Sequence, residues 1–184
     1  MMRTSVNDRP NMADDIARPA GGTPRAVARP GRRAYPLVVG FWLLKTEPSE
    51  YAWADLAREG TTAWTGVTNP QAVANLRAMK VGDRAVVYHS GERRALGVAE
   101  VVRAAYAAPA RKGGGTCVDL RAVAPLPAPV PLDALRAEAA FEGSALLRQG
   151  RLSVVPLSPA QWRALAGIAD VVARTGGLHA AERT

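Results

Sequence analysis

The sequence predicts an α+β domain, a curled, mostly antiparallel sheet or small barrel with helices packed on it. Three observations lead to that class. Strand-like apolar runs open and close the region from about residue 41 to 170, at 37–44 and at 153–157. Helical patterns are inserted between strands without strict one-for-one alternation. The middle strands are joined by short connections of hairpin length, which favours a curled sheet over a doubly wound parallel one. Apolar residues make up 48% of the 184-residue chain, enough for one domain with a core of ordinary size.

Residues 1–40 are rich in Arg, Pro, Ala and Gly, carry no apolar period, and read as a disordered basic extension. Seven arginines against three aspartates give that segment +4, half of the chain's net charge of +8. The rest is a mild basic bias, compatible with a polyanionic partner. Arg32-Arg33 before an apolar run resembles a twin-arginine export signal. That run, however, stops at Lys45-Thr46-Glu47-Pro48 with no small-residue cleavage site, and it is too short to span a membrane.

Residues 37–44 form a continuous apolar run and predict a buried strand ended by Pro48. Alternation places Phe41, Leu43 and Lys45 on one face and Trp42, Leu44 and Thr46 on the other. Ser49 is placed to cap a helix reaching about Arg58, closed by Gly60. Thr61-Thr62-Ala63-Trp64 is a short β-prone run, and Gly66 permits a tight turn after it. Asn69 as N-cap and Pro70 at the first helical position start a second helix, whose apolar stripe is Val73, Leu76 and Met79. Residues 84–89 predict a strand with Ala85, Val87 and His89 on one face and Val86 and Tyr88 on the other. A polar connection at 91–94 leads to a strand at 95–105. A flexible basic loop at 111–115 precedes a strand at 117–123. Pro125, Pro127, Pro129 and Pro131 read as a stiff extended connector. A helix at 132–140, a helical turn at 146–151 and a strand at 153–157 follow. Ser158-Pro159 opens a final helix with Trp162, Leu165 and Ile168 on its apolar side. Residues 171–184 read as a flexible tail.

No catalytic signature is present: no Walker loop, no GxGxxG after a strand, no GxSxG and no HExxH. The single cysteine, Cys117, excludes an internal disulfide and a multi-cysteine metal site. The two histidines, His89 and His179, are far apart, so neither metal nor cofactor is expected, and a reducing, cytoplasmic setting is. His89 and Cys117 could form a thiolate pair, but a lone cysteine among apolar neighbours is far more often inert. Glu47, Glu50, Asp55 and Glu59 read as solvated surface acids.

The stretch 64–71 stands out. It sets the large flat ring of Trp64 beside a helix N-terminus, which suits a nucleobase with its phosphate. The same residues also describe a core tryptophan followed by a plain turn, because Trp is highly buried on average. Tyr88-His89-Ser90 ends a buried strand, where side chains reach a cavity mouth and offer stacking and hydrogen bonds. Taken alone, His89 is as readily a satisfied rim histidine. Arg93, Arg94, Arg111 and Lys112 lie on two loops, solvated singly or together forming one phosphate-contacting rim.

Four blocks of the chain together resemble the EVE domain of the PUA-like superfamily. They are Phe41-Trp42-Leu43-Leu44-Lys45-Thr46-Glu47-Pro48, then Trp64-Thr65-Gly66-Val67 through Gly82-Asp83, then Tyr88-His89-Ser90 with Gly97-Val98-Ala99-Glu100-Val101, and last Leu146-Leu147-Arg148-Gln149-Gly150-Arg151-Leu152-Ser153-Val154. They span about 41–170 in the expected order. The resemblance implies a pseudo-barrel with packed helices and a pocket for modified bases in DNA or RNA, comparable to the YTH readers of methylated adenine. Bacterial members resemble modified-cytosine readers, and the family is not known for catalysis. The resemblance carries a base-binding role to Trp64, Asn69, Tyr88, His89 and Ser90, and further to Trp42, Lys45 and Thr46. It implies nucleic acid as partner, with no membrane and no cofactor. The alternative is a general DNA- or RNA-binding accessory domain without selectivity for a modification. Four positions depart from the family pattern: Thr65, Thr68, Pro70 and Val73 stand where Asp, Arg, Tyr and Arg are usual. A carboxylate able to accept from an exocyclic amine is thereby missing.

Overall fold

The computed structural model describes residues 39–108 and 115–181. Most of the expected basic extension, and the loop carrying Arg111 and Lys112, lie outside them. In chain order the elements are β1 (Phe41–Thr46), α1 (Trp53–Glu59), β2 (Thr61–Trp64), α2 (Pro70–Ala78), β3 (Arg84–His89), β4 (Arg94–Ala107), β5 (Thr116–Pro131), α3 (Leu132–Ala137), α4 (Ala145–Arg148), β6 (Val154–Leu157) and α5 (Pro159–Ala181). The strands make one sheet in the order β2-β5-β4-β3-β1-β6. β1 runs parallel to β3, and every other pair is antiparallel. This is the mixed, mostly antiparallel α+β sheet with packed helices that the sequence predicts. Register shifts at four places along β4 and β5 bend the long pair and curl the sheet, with β2 and β6 as its edges.

The central strands are buried on both faces, which is why they read as continuous apolar runs. Leu43, Leu44, Val86 and Val87 are fully covered. α5 is held over the start of β1 by Trp162, whose ring stacks on Phe41 with centroids 4.7 Å apart. Leu165 and Ala169 complete its buried stripe. α2 begins as the sequence predicts: Pro70 sits in its first turn, and the Asn69 side chain accepts from the N–H groups of Gln71 and Ala72. Its Asn75 amide donates to the Val154 carbonyl at 2.7 Å and ties the helix to β6.

Three expectations change. Ser49 does not cap α1. The Glu47 carbonyl accepts from both Glu50 N–H and Tyr51 N–H, closing a turn first, and the helix starts after Ala52. The Asp55 carboxylate reaches back to the Ala52 N–H at 2.9 Å. The proline array is not a connector but the second half of β5. Prolines at alternate positions put all their missing N–H groups on one side of the strand. Leu126, Ala128 and Val130 keep theirs on the other, and this segment pairs with β4 alone. The last helix also runs on to Ala181, well into the segment expected to be a tail.

Two interactions seat α1 and β1. The Asp83 carboxylate, just before β3, accepts from Gly40 N–H at 2.8 Å, Trp42 Nε1–H at 2.9 Å and Lys80 N–H at 3.0 Å. The indole of Trp53, at the start of α1, lies against the β4 backbone at Gly97, where any Cβ would overlap ring atoms. Among the described residues no helix is long and apolar enough to cross a membrane.

Asp83→Ala leaves three donors without their acceptor, and each buried orphan costs about 1–3 kcal/mol. Denaturant unfolding should therefore show a loss of at least about 2 kcal/mol, with some donors regaining water. Gly97→Ala should cost about 1–3 kcal/mol through overpacking against Trp53, seen in the same measurement as a lower midpoint with an altered tryptophan emission.

Candidate functional site

A parallel pair of strands ends on one side, and its two chains must then diverge. β1 and β3 are in register from Phe41↔Arg84 to Thr46↔His89, so they finish together. Ser90 N–H still donates to the Thr46 carbonyl at 2.9 Å, and Lys45 N–H to the Ser153 carbonyl at 2.8 Å. Past these bonds the chains separate around a cavity of about 700 Å³. Its walls come from the end of β1 and the turn after it, the end of α1, β2 with the turn that follows, Ser90, and the segment leading into β6.

One wall is aromatic. The Tyr51 and Trp64 rings meet edge to face, with centroids 6.2 Å apart and planes at 85°. Trp64 is only 6% exposed, so it presents a rim to the cavity while most of its ring belongs to the core. Thr46 Oγ1 donates to the Tyr51 carbonyl at 3.0 Å and fixes the turn that carries Tyr51. The Tyr51 hydroxyl donates to Glu59 Oε2 at 2.7 Å. Gly66 adopts φ of 79°, the left-handed turn read from the sequence, and lines the cavity with Thr65 and Val67.

The polar walls are of mixed sign. Glu47, Glu50 and Glu59 supply carboxylates, and Lys45 and Arg151 supply cations. Glu47 Oε2 accepts from Gly91 N–H at 3.0 Å and joins the turn after β1 to the turn after β3. The Lys45 ammonium donates to the carbonyls of Gly150 at 3.1 Å and Gln149 at 3.4 Å. Burial pushes its pKa down, and one of its three protons remains for another acceptor.

A second cavity, of about 330 Å³, adjoins the first and shares Lys45, Ser90 and Gly150 with it. Tyr88 and Arg93 line it together with Arg136 of α3 and two leucines of α4. Tyr88 is 4% exposed, and burial is the main reason its phenol pKa is raised.

The structure thus brings together Trp64, Lys45, Thr46 and Ser90 in the first cavity, and Tyr88 and Arg93 beside it in the second. The other residues singled out from sequence stand elsewhere. Trp42 is buried, with its Nε1–H on Asp83. Asn69 is spent on capping α2 and does not line either cavity, so the helix N-terminus expected beside Trp64 is already satisfied by its own side chain. His89, 5% exposed, is a structural link: its Nε2 accepts from Trp53 N–H at 3.0 Å and its Nδ1 faces Glu92 Oε2 at 3.0 Å. Accepting at Nε2 requires the hydrogen on Nδ1. Arg94 pairs with Glu92 at 2.9 Å and lines neither cavity. Cys117 lies opposite Tyr106 and His89 opposite Arg94, at the two ends of β4, so thiol and imidazole do not meet.

Tyr51, Glu59, Thr62, Arg151 and Arg136 are cavity residues that the sequence reading did not single out as a site. Tyr51 had one available signal, its place just after the Lys45-Thr46-Glu47-Pro48 block. Of the four departures from the family pattern, only Thr65 lines the cavity. Thr68 and Pro70 are exposed, and Val73, half-buried on α2, lines neither cavity; the residues α2 buries are Ala72 and Leu76 rather than the expected Val73.

Burial, with the Glu59 carboxylate beside it, pushes the Tyr51 pKa up to about 12. The folded state therefore holds this proton more tightly than the unfolded chain. The resulting stability is complete below the ordinary phenol pKa of about 10 and is lost as pH rises from there toward 12. An ultraviolet titration should show one tyrosine ionising near pH 12 that disappears in Tyr51→Phe.

Residues 40–168 match the EVE domain. Thymocyte nuclear protein 1 of Gallus gallus is 40% identical over 78 residues, which is 35% of this chain and 32% of that protein. The human counterpart is 38% identical over 78 residues, 35% of each. The matched part is thus about a third of the length of these relatives. A crystal structure of an Agrobacterium tumefaciens protein superposes with a TM-score of 0.68 at 34% identity, covering 71% of this chain and 93% of that one. A Rhodopseudomonas palustris protein gives 0.67 at 38% identity, covering 73% and 95%. Human THYN1 protein, crystallised in complex with 5-methylcytosine-containing DNA, gives 0.63 at 26% identity, covering 71% and 98%. With four sequence blocks, the mixed sheet and these matches in agreement, the chain belongs to the EVE domain family and has its PUA-like fold.

Proposed function

We propose that this chain is a non-catalytic reader that takes one modified base, lifted from its strand, into the larger cavity. The observation that carries the reading is the cavity itself: about 700 Å³, walled by Tyr51 and the rim of Trp64, with hydrogen-bonding groups from Lys45, Thr46 and Ser90 in the same lining. That volume is within the range of small-molecule sites and has room for a nucleoside rather than a bare ring. The human relative in complex with 5-methylcytosine-containing DNA supports nucleic acid as the partner and methylcytosine as the first base to try.

The wall chemistry agrees with an amino-bearing base. Cytosine offers an exocyclic N4 donor, and carboxylates are its natural acceptors. Glu59 keeps lone pairs beyond the one used by Tyr51, and Glu47 and Glu50 stand on the same cavity. The carboxylate missing at Thr65 is in this reading supplied from α1. Flipping a base costs a few kcal/mol, and stacking on an aromatic returns about 1–3 kcal/mol. The difference falls to hydrogen bonds inside the cavity and to phosphate contacts outside it.

Trp64 is a poor residue for a test, because truncating a buried indole costs about 3–5 kcal/mol of stability. Tyr51→Leu keeps an apolar body and removes the ring. It should weaken binding of a 5-methylcytosine oligonucleotide roughly tenfold or more, with the melting temperature little changed. Fluorescence anisotropy on oligonucleotides that differ by one modified base, at two salt concentrations, measures it. Equal affinity for modified and unmodified strands in the wild type, with strong salt dependence, would instead establish the accessory domain without selectivity. Glu59→Gln should lower the preference for cytosine bases over thymine, since an amide no longer offers two acceptor oxygens.

A further inference from the structure

The two adjoining cavities differ in charge. The larger carries three carboxylates, whereas the lining of the smaller has none and two guanidiniums, Arg93 and Arg136. A nucleotide brings its phosphates with it, and these are repelled wherever the lining is anionic. Of the two cations of the larger cavity, Lys45 also lines the smaller one and bonds the Gly150 carbonyl between them, and Arg151 follows Gly150 in the chain. The backbone of a bound strand therefore has one electrostatically open way out, over Lys45 and Ser90.

The smaller cavity is built to meet it there. Arg93 is the one non-glycine residue among those described with a left-handed backbone, at φ of 54°. Its carbonyl accepts from Leu132 N–H at 2.8 Å, which joins the β3–β4 turn to the start of α3 and sets Arg93 near Arg136. Between them stands Asp133, 2.9 Å from Arg136 and 3.7 Å from Arg93. Its side chain is 76% exposed, so solvent screens it and it braces the two guanidiniums more than it neutralises them. Each guanidinium carries five N–H donors, and one carboxylate leaves most of them for another anion.

We propose that the smaller cavity is a phosphate subsite: Arg93 and Arg136 hold the phosphodiester flanking the nucleotide whose base occupies the larger cavity, with the Lys45 ammonium at the junction. The assignment rests on the base-reader reading above, and it adds which way the strand leaves the site. It also predicts that one flanking phosphate matters and the other does not.

The test uses the full chain and short single-stranded oligonucleotides bearing one 5-methylcytosine, with a neutral methylphosphonate at its 5′ or its 3′ phosphate. Both arginine side chains are 56% exposed, so Arg93→Gln and Arg136→Gln should fold as the wild type does. Each should weaken binding about three- to tenfold at low salt and lower the salt slope, and the double variant Arg93→Gln/Arg136→Gln should lower it by about 0.7, the value for one phosphate on a single strand. A methylphosphonate on one flank should give the wild type at least that loss and cost the double variant Arg93→Gln/Arg136→Gln nothing more. The subsite is overturned if both single arginine variants keep the wild-type affinity and slope, or if the methylphosphonate loss persists in full in the double variant. Should the wild type fail to prefer 5-methylcytosine while the slopes still fall, the base reading is lost and the phosphate subsite stands.

Discussion

The Asp83 carboxylate fixes the register of β1 on β3. It binds the chain at both strand entrances: Gly40 and Trp42 on one side, Lys80 on the other. Side chains alternate along a strand, so a slip of one residue would move every group to the opposite face. The register runs unbroken to Thr46↔His89. The cavities open at that end of the pair. Lys45 and Thr46 face the larger cavity because β1 ends where it does, and Ser90 closes on Thr46 because β3 ends beside it.

A second constraint holds α1 on the sheet. The Trp53 indole takes the place of a side chain at Gly97, and the Trp53 N–H is received by His89. These two contacts join α1 to β4 and to the end of β3. They orient the turn before the helix, which carries Tyr51, and the helix end, which carries Glu59. A histidine that looks like a ligand-binding group thus serves the site at one remove. It positions the helix and has no ring nitrogen left for a guest: Nε2 faces Trp53 and Nδ1 faces Glu92.

The charge of the site is divided between its two cavities. Carboxylates near the aromatic wall favour donor groups on a base and disfavour phosphate, and the adjoining guanidiniums do the reverse. The mild net basic bias of the domain does not display this division, because both signs are present within one cleft. Three of the four departures from the family pattern fall outside the cavity lining, so the altered block changes the walls at Thr65 alone.

Features set by contacts within a few residues could be read from the chain. The Asn69 cap, Pro70 at the first turn, the left-handed Gly66 and the stripe of α5 depend on neighbours three or four positions away, and the sequence contains both partners side by side. The buried strands were legible too, since burial on both faces demands uninterrupted apolar residues. The four blocks likewise pointed to the family. What tertiary structure alone decided is which edge each strand pairs along. Alternate prolines look like a connector until a partner lies on the side that keeps its N–H groups. Tyr51 falls inside the helix expected after Ser49 until the Glu47 turn delays that helix and β2 brings Trp64 to its edge. Arg93 and Arg136 lie far apart in sequence and line one cavity because the Arg93 carbonyl receives the first N–H of α3. Local hydrogen bonding is written in spacing, whereas a sheet's neighbours are chosen by the fold as a whole.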